Sequence, residues 1–261
     1  MTFCQLYGLA QYGRVGEIVG LALATTSWNI GDADISWLPM PNEHHPFIAM
    51  NLYRVKNDRF EQIGQSWVKH AFYALGNTQC GGTCTFEPGH VYGEYLGIGC
   101  TDTYSAPLNG AQNGMGPRYE VNPWTGAWTF AGSHNSVGTH AHDGIEHRLQ
   151  VRDADLDPAQ NPGADYFAEG YYVIAEDIDV MNSIAWKPVT VSGAPGGTWS
   201  FVMSAAGTMP VAGLALDAWP GTRQTEFAQE VPPVEFVSPD GRCVLAAQVT
   251  QRAENIWRYT Y

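Results

Sequence analysis

The sequence predicts an all-β protein, an antiparallel β-sandwich of jelly-roll type with long irregular loops. Three observations carry this. Short runs rich in β-branched and aromatic residues recur between clusters of turn formers. The turn formers themselves, Gly 29 and Pro 16, are scattered along all 261 residues instead of gathering in one linker. Long segments with a 3.6-residue apolar period are missing, so helices have little to build from.

In chain order the predicted strands are 17–26, 47–55, 60–72, 89–98, 124–131, 148–152, 166–175, 186–191, 198–204, 234–237 and 243–250. Ala168–Met181 is the nearest approach to a helix, although its tyrosines and valines suit a strand at the start equally well. Lys56-Asn57-Asp58-Arg59 separates two apolar runs and predicts a hairpin turn. Asp143-Gly144 predicts a second two-residue turn, of type I′. The stretch from Thr101 to Asn122 is long, polar and glycine-rich, as functional loops often are. With no repeat and no linker, residues 1–261 are expected to form a single domain.

Charge narrows the function. Acidic residues number 26 against 13 basic ones, a formal charge of −13, and lysine occurs only at Lys56, Lys69 and Lys187. Such a chain lacks the basic patch that nucleic acids require. The same balance disfavours anionic lipid surfaces and argues weakly against polyanionic substrates. Neutral polysaccharides, small molecules and cations remain as partners. No apolar run approaches the ~20 residues of a membrane span. No charged segment followed by an apolar one opens the chain, so Met1 is expected to start a sequence trimmed of its leader.

The stretch THAHDGIEHRLQV at 139–151 holds His140, His142 and His147. If Asp143-Gly144 form a two-residue turn, His142 faces Ile145 and His140 faces His147. Side chains alternate along a strand, so all three imidazoles project from one side. Three imidazoles with an open fourth position make a catalytic zinc site, and copper accepts the same set. The alternative is a solvated hairpin tip with no chemistry. Pairing Val55 with Phe60 across the first hairpin also places His45 opposite His70, with Glu43 nearby, as a second candidate pair; on its own, His70 reads as a satisfied core histidine.

Of the five cysteines, Cys80 and Cys84 can close a small disulfide loop around Gly81-Gly82, with Cys100 pairing elsewhere and at least one thiol left over. Disulfides imply an oxidising compartment. Asp153, Asp155 and Asp157 have the spacing of calcium-loop ligands but lack the glycine and closing glutamate of an EF-hand. Trp124 and Trp128 in WTGAW can present both rings on one face to stack on a sugar, or can serve as core. No nucleophile elbow, phosphate-binding loop, dinucleotide fingerprint or zinc-protease helix occurs.

At NLYRVKNDRFEQIGQSWVKHAFYAL, CGGTC, GCTDTYSAPLNGAQNGMGPRYEVN and HRLQVRDADLDP the chain resembles a family of exported bacterial all-β proteins with no assigned activity. The resemblance runs from about Tyr7 to Thr250, and His45, His70, Cys80, Cys84 and Cys100 sit at its motif positions. Family members often carry a cysteine where this chain has Trp28, and the 140–147 histidines lie outside the family pattern. The resemblance implies export and one domain. Three functions are therefore expected to compete: an extracellular zinc or copper enzyme acting on an environmental polymer, with a surface calcium site as a minor alternative; a carbohydrate-binding module; and a structural subunit of a cell-surface assembly, which would form homo-oligomers.

Overall fold

A computed structural model describes residues 1–138, 141–203, 209–228 and 242–261, with backbone alone at 223, 225–228, 242 and 243. Its first strands are β1 (Thr2–Val15), β2 (Ile18–Trp28), β3 (Ile35–Ser36), β4 (Phe47–Lys56), β5 (Arg59–Gln65) and β6 (Val68–His70). The middle of the chain adds β7 (Tyr95–Leu96), β8 (Thr101–Tyr104), β9 (Met115–Gly116) and β10 (Leu149–Arg152). Then come β11 (Asp165–Val173), β12 (Ile184–Ser192), β13 (Ser200–Met203), β14 (Val211–Ala212), β15 (Thr222–Ala228), β16 (Arg242–Ala253) and β17 (Ile256–Thr260).

The protein is all-β and its sheets are antiparallel, as predicted. Among the described residues a 12-stranded sheet runs in the order β1-β2-β10-β5-β4-β11-β12-β13, with β6, β8, β9 and β14 branching from it. The sheet curls until β13 packs beside β1, which gives it a nearly barrel-like course. Gln11 on β1 closes the seam by accepting the Trp199 amide at 2.9 Å. A 3-stranded sheet, β15-β16-β17, is built separately. Ala246 on β16 packs with Trp219, Val55 and Phe167.

Inside the curl lie Leu21, Leu23, Ile48, Met50, Leu52, Leu149, Ala168 and Tyr172, with Trp37 fully enclosed. Burial of each large aliphatic side chain contributes about 1.5–3 kcal/mol. β2 is buried on both faces for nearly its whole length, which explains its continuous apolar reading in place of an alternating one. The turn between β4 and β5 forms as expected: Asn57 and Asp58 both take left-handed φ, 51° and 59°, the pair a type I′ turn needs.

The sequence reading missed β1, the longest strand. Two predicted strands do not form as such. Of 89–98 only Tyr95–Leu96 forms a strand, with isolated bridges at Tyr92, Gly93 and Ile98, and 124–131 is a loop. The run from Ala168 ends as strand at Val173 and continues in turns, not helix. The predicted strand at 234–237 lies outside the described residues. The cysteine pairing also differs from expectation. Cys80 and Cys84 are not joined to each other; the disulfides are Cys4–Cys80 and Cys84–Cys100. The first ties β1 to the 76–100 loops, and the second closes those loops on themselves. No helix among the described residues is long and apolar enough to cross a membrane.

Candidate functional site

The hairpin expected at Asp143-Gly144 does not form. Asp143 Oδ1 instead accepts the amides of Ile145 at 2.8 Å and Glu146 at 2.9 Å, bending the chain into a side-chain-capped turn. Gln112 fastens the turn from outside, its Nε2 donating to the carbonyls of Asp143 at 2.6 Å and Glu146 at 2.9 Å. Gly144 lies directly on Gly13 of β1, where any Cβ would collide with the Gly144 carbonyl. Local carboxylate–amide bonds and this backbone contact thus prevail over the two-residue turn.

His142 and His147 nevertheless come together. Their ring centroids are 4.7 Å apart. His147 holds a left-handed φ of 64° just before β10, which turns its ring onto Trp67, stacked at 3.7 Å and 10°. His134, from the 3-10 turn His134–Val137, joins at 5.0 Å from His147 and 4.8 Å from Trp67. Sequence spacing had offered no reason to include His134. His140 lies outside the described residues. His147 Nδ1 donates to the Gln112 carbonyl at 3.2 Å. His142 Nε2 donates to Asn113 Oδ1 at 2.8 Å, and its Nδ1 lies 3.4 Å from Glu146 Oε2. Burial lowers the pKa of His147, which favours its neutral ring.

His45 and His70 also meet, though not as strand partners. Val55 pairs with Phe60 as expected. A bulge at Leu52/Tyr53 then moves the register by one, so Asn51 faces Gln65 and not Gly64. A break at Ser66–Trp67 moves it once more, and Phe47 faces His70. Two slips restore the face that one would have reversed. His45 Nδ1 donates to the Leu38 carbonyl at 3.0 Å, and His70 Nδ1 donates to His45 Nε2 at 3.0 Å. The facing nitrogens are thereby spent on each other, not turned toward one shared ion. Desolvation by burial lowers the two pKa values to about 4 for His45 and about 3 for His70. Trp128 closes over the pair, its centroid 4.5 Å from that of His70.

Trp128 is therefore core, and it does not share a face with Trp124. The segment between them is a tight turn, with Asn122 Oδ1 capping the amides of Trp124 and Thr125 at 2.9 Å each, so strand alternation does not apply. Trp124 lines a cavity of about 320 Å³ together with Tyr53, Tyr171 and the buried Glu169. Glu169 accepts from Asn51 at 2.8 Å, Tyr53 at 3.0 Å and the Ala215 amide at 2.8 Å. Desolvation raises its pKa despite these donors.

The three aspartates of RDADLDP do not converge. Asp153 takes Arg14, Trp199 and the Gly196 amide, Asp155 takes Arg54, and Asp157 caps Ala159. A different set does satisfy the distances for a metal. Asp34, Glu87 and His90 offer ligand atoms all within 4.8 Å of one another and could hold an ion. In its present geometry Asp34 accepts from the amides of Glu87 at 2.9 Å and Ile98 at 3.2 Å and from His90 Nδ1 at 3.0 Å, anchoring the loop.

Beside the histidine cluster opens a cleft of about 770 Å³. Trp67 forms part of its wall, with Tyr119 and the amides of Gln62, Gln65 and Gln150 around it. The Trp67 amide donates to the His147 carbonyl at 2.9 Å, which ties the cleft wall to the histidine cluster. Comparison with protein-family models, curated proteins and solved structures returns no match. Function must therefore be argued from this geometry.

Proposed function

We propose that the protein is an extracellular, metal-dependent enzyme acting on a polysaccharide, with zinc or copper held by the imidazoles around His142 and His147. One observation carries the reading: Trp67 walls the cleft on one side and stacks on His147 at 3.7 Å on the other. A substrate lying in the cleft would therefore sit next to the histidines. The Gln112 carbonyl on His147 Nδ1 supports ligation, because a backbone carbonyl on one ring nitrogen is the usual outer support of a metal-binding histidine. Such an ion would supply bound hydroxide near neutral pH or, for copper, redox chemistry. Among the described residues no Asp or Glu lines the cleft, so hydrolysis by a carboxylate pair finds no acid or base among them. That same lack favours a second reading, a non-catalytic saccharide-binding or cell-surface protein using Trp67 and Tyr119. Two disulfides support an oxidising compartment in either case. The resemblance to exported bacterial proteins points the same way.

Elemental analysis of the purified protein decides between the readings, alongside His142→Ala/His147→Ala and Asp34→Ala/His90→Ala variants. One equivalent of zinc or copper, lost only in the first variant, is the expected result. Loss only in the second would move the metal to the Asp34 group, whose two carboxylates suit calcium better. Absence of metal after reconstitution would remove the enzyme and leave the binding protein.

A further inference from the structure

We infer that the cleft walled by Trp67 takes an acidic saccharide, a sugar unit bearing a carboxylate or sulfate, whose anion is met by Arg118 and Arg148. This deepens the saccharide reading above by naming the substrate class, and it rests on that reading for the sugar but not for the metal.

The case begins with charge. The chain carries −13 overall, yet the charged residues lining this cleft are two arginines and no carboxylate. Elsewhere Arg14 pairs with Asp153, Arg54 with Glu61 and Asp155, and Arg59 with Glu61, while Arg152, Arg252 and Arg258 form no ion pair among the described residues. Arg118 and Arg148 form no such ion pair among the described residues. What sets Arg118 and Arg148 apart is that both line the same cleft.

Both groups are also held in position by neutral acceptors. Arg118 donates from Nε to the Ser66 carbonyl at 2.6 Å and from Nη2 to the Met50 carbonyl at 3.0 Å and Asn51 Oδ1 at 2.9 Å. Arg148 donates from Nε to the Gly110 carbonyl at 3.0 Å and from Nη1 to the Gly144 carbonyl at 2.9 Å. These bonds fix each fork without cancelling its charge. Nη1 of Arg118 and Nη2 of Arg148 have no protein acceptor among the described residues, and neither is a buried orphan. Each can donate to an incoming oxyanion at little entropic cost, because the rest of the fork is already ordered. Desolvation by burial lowers both pKa values, outweighing Glu169 and the tyrosines beside Arg118 and Tyr12 beside Arg148. The nearest carboxylate behind Arg118 is Glu169, which is reached through Asn51 and already holds three donors.

The remaining walls suit a sugar better than a bare anion. Tyr119 stands 87% exposed at the rim, a flat ring with no packing role, and Trp67 offers a second flat wall. Gln62, Gln65 and Gln150 add amides that can both donate and accept, as ring hydroxyls require.

The test is calorimetric titration of EDTA-treated protein with trigalacturonate, a sulfated chondroitin trisaccharide and neutral cellotriose. Removing the metal makes the result independent of the histidine cluster. At least one acidic trisaccharide is expected to bind tenfold or more tightly than cellotriose, and the two acidic probes separate carboxylate from sulfate. Arg148→Gln should reduce that preference about tenfold while leaving the thermal midpoint within a few degrees. Tyr119→Ala, at a side chain too exposed to affect folding, should weaken acidic-sugar binding several-fold. Equal binding of acidic and neutral sugars, no binding of any, or a preference untouched by Arg148→Gln would each overturn the inference. A protein that holds its metal but shows no acidic preference would refute this inference and spare the enzyme reading; the converse pattern would do the opposite.

Discussion

Asp102 on β8 offers a sharp test of how this core treats charge. Its side chain is fully buried; Oδ1 accepts the Leu75 amide at 2.7 Å, and Oδ2 has no hydrogen-bond partner. Desolvation outweighs the stabilising amides and raises its pKa from 3.8 to about 7. The sign follows from proton counting. Between those two values the folded protein keeps a proton that the unfolded chain has lost, so stability falls as pH rises and levels off above the folded pKa. At about 1.4 kcal/mol per pH unit, the interval is worth ~4 kcal/mol. Asp102→Asn preserves the acceptor for Leu75 and removes the titration, while adding a buried amide donor whose cost of ~1–3 kcal/mol does not vary with pH. Urea unfolding followed by tryptophan fluorescence from about pH 4 to about pH 8 would measure both proteins. The variant is expected to gain on the parent steadily across that range, by up to ~4 kcal/mol in all. A difference that stays constant with pH would show Asp102 ionised throughout and refute the reasoning.

His45 and His70 act in the opposite sense. Their pKa values are lowered from 6.5 to about 4 and about 3, so the unfolded chain protonates first and stability is lost as pH falls below 6.5. His70→Phe, flanked by Phe47 and Trp128, should visibly flatten that acid limb in the same unfolding series; an unchanged limb would mean that the pair is not neutral when folded. The disulfides should differ in worth, since Cys4–Cys80 spans 76 residues and Cys84–Cys100 spans 16. Loop-closure entropy gives about 4.5 and about 3 kcal/mol, so the Cys4→Ser/Cys80→Ser variant should melt lower than Cys84→Ser/Cys100→Ser, and the reverse order would contradict the entropic account. Gly13→Ala should destabilise by ~1–3 kcal/mol through its collision with Gly144 and should also displace His142 and His147, seen as a changed histidine NMR spectrum; retention of both stability and spectrum would disprove the close approach.

Composition and local pattern were enough for the class of the fold and for several strands. β2, β4, β10, β11, β12 and β13 follow from β-branched and aromatic runs, and the Asn57-Asp58 turn follows from residues that tolerate left-handed φ. These are short-range effects, decided by sterics and by which face is apolar. β1 escaped because its ladder to β2 is interrupted by three register shifts, which break the period-two pattern that marks a strand. The histidines show where local reading ends. His142 and His147 meet although their hairpin does not form, because Gln112 and Gly13 shape the turn from distant parts of the chain. His134 joins them from a separate turn, and His45 reaches His70 because two register slips add to a two-residue shift, which keeps the face. Trp124 and Trp128 part company because Asn122 caps a turn where a strand was expected. Net charge alone argued against acidic ligands, whereas the folded chain gathers Arg118 and Arg148 where no carboxylate answers them. A sequence carries the sum of its charges and the period of its apolar residues. Which side chains converge depends on contacts between segments tens of residues apart, and that only the tertiary structure decides.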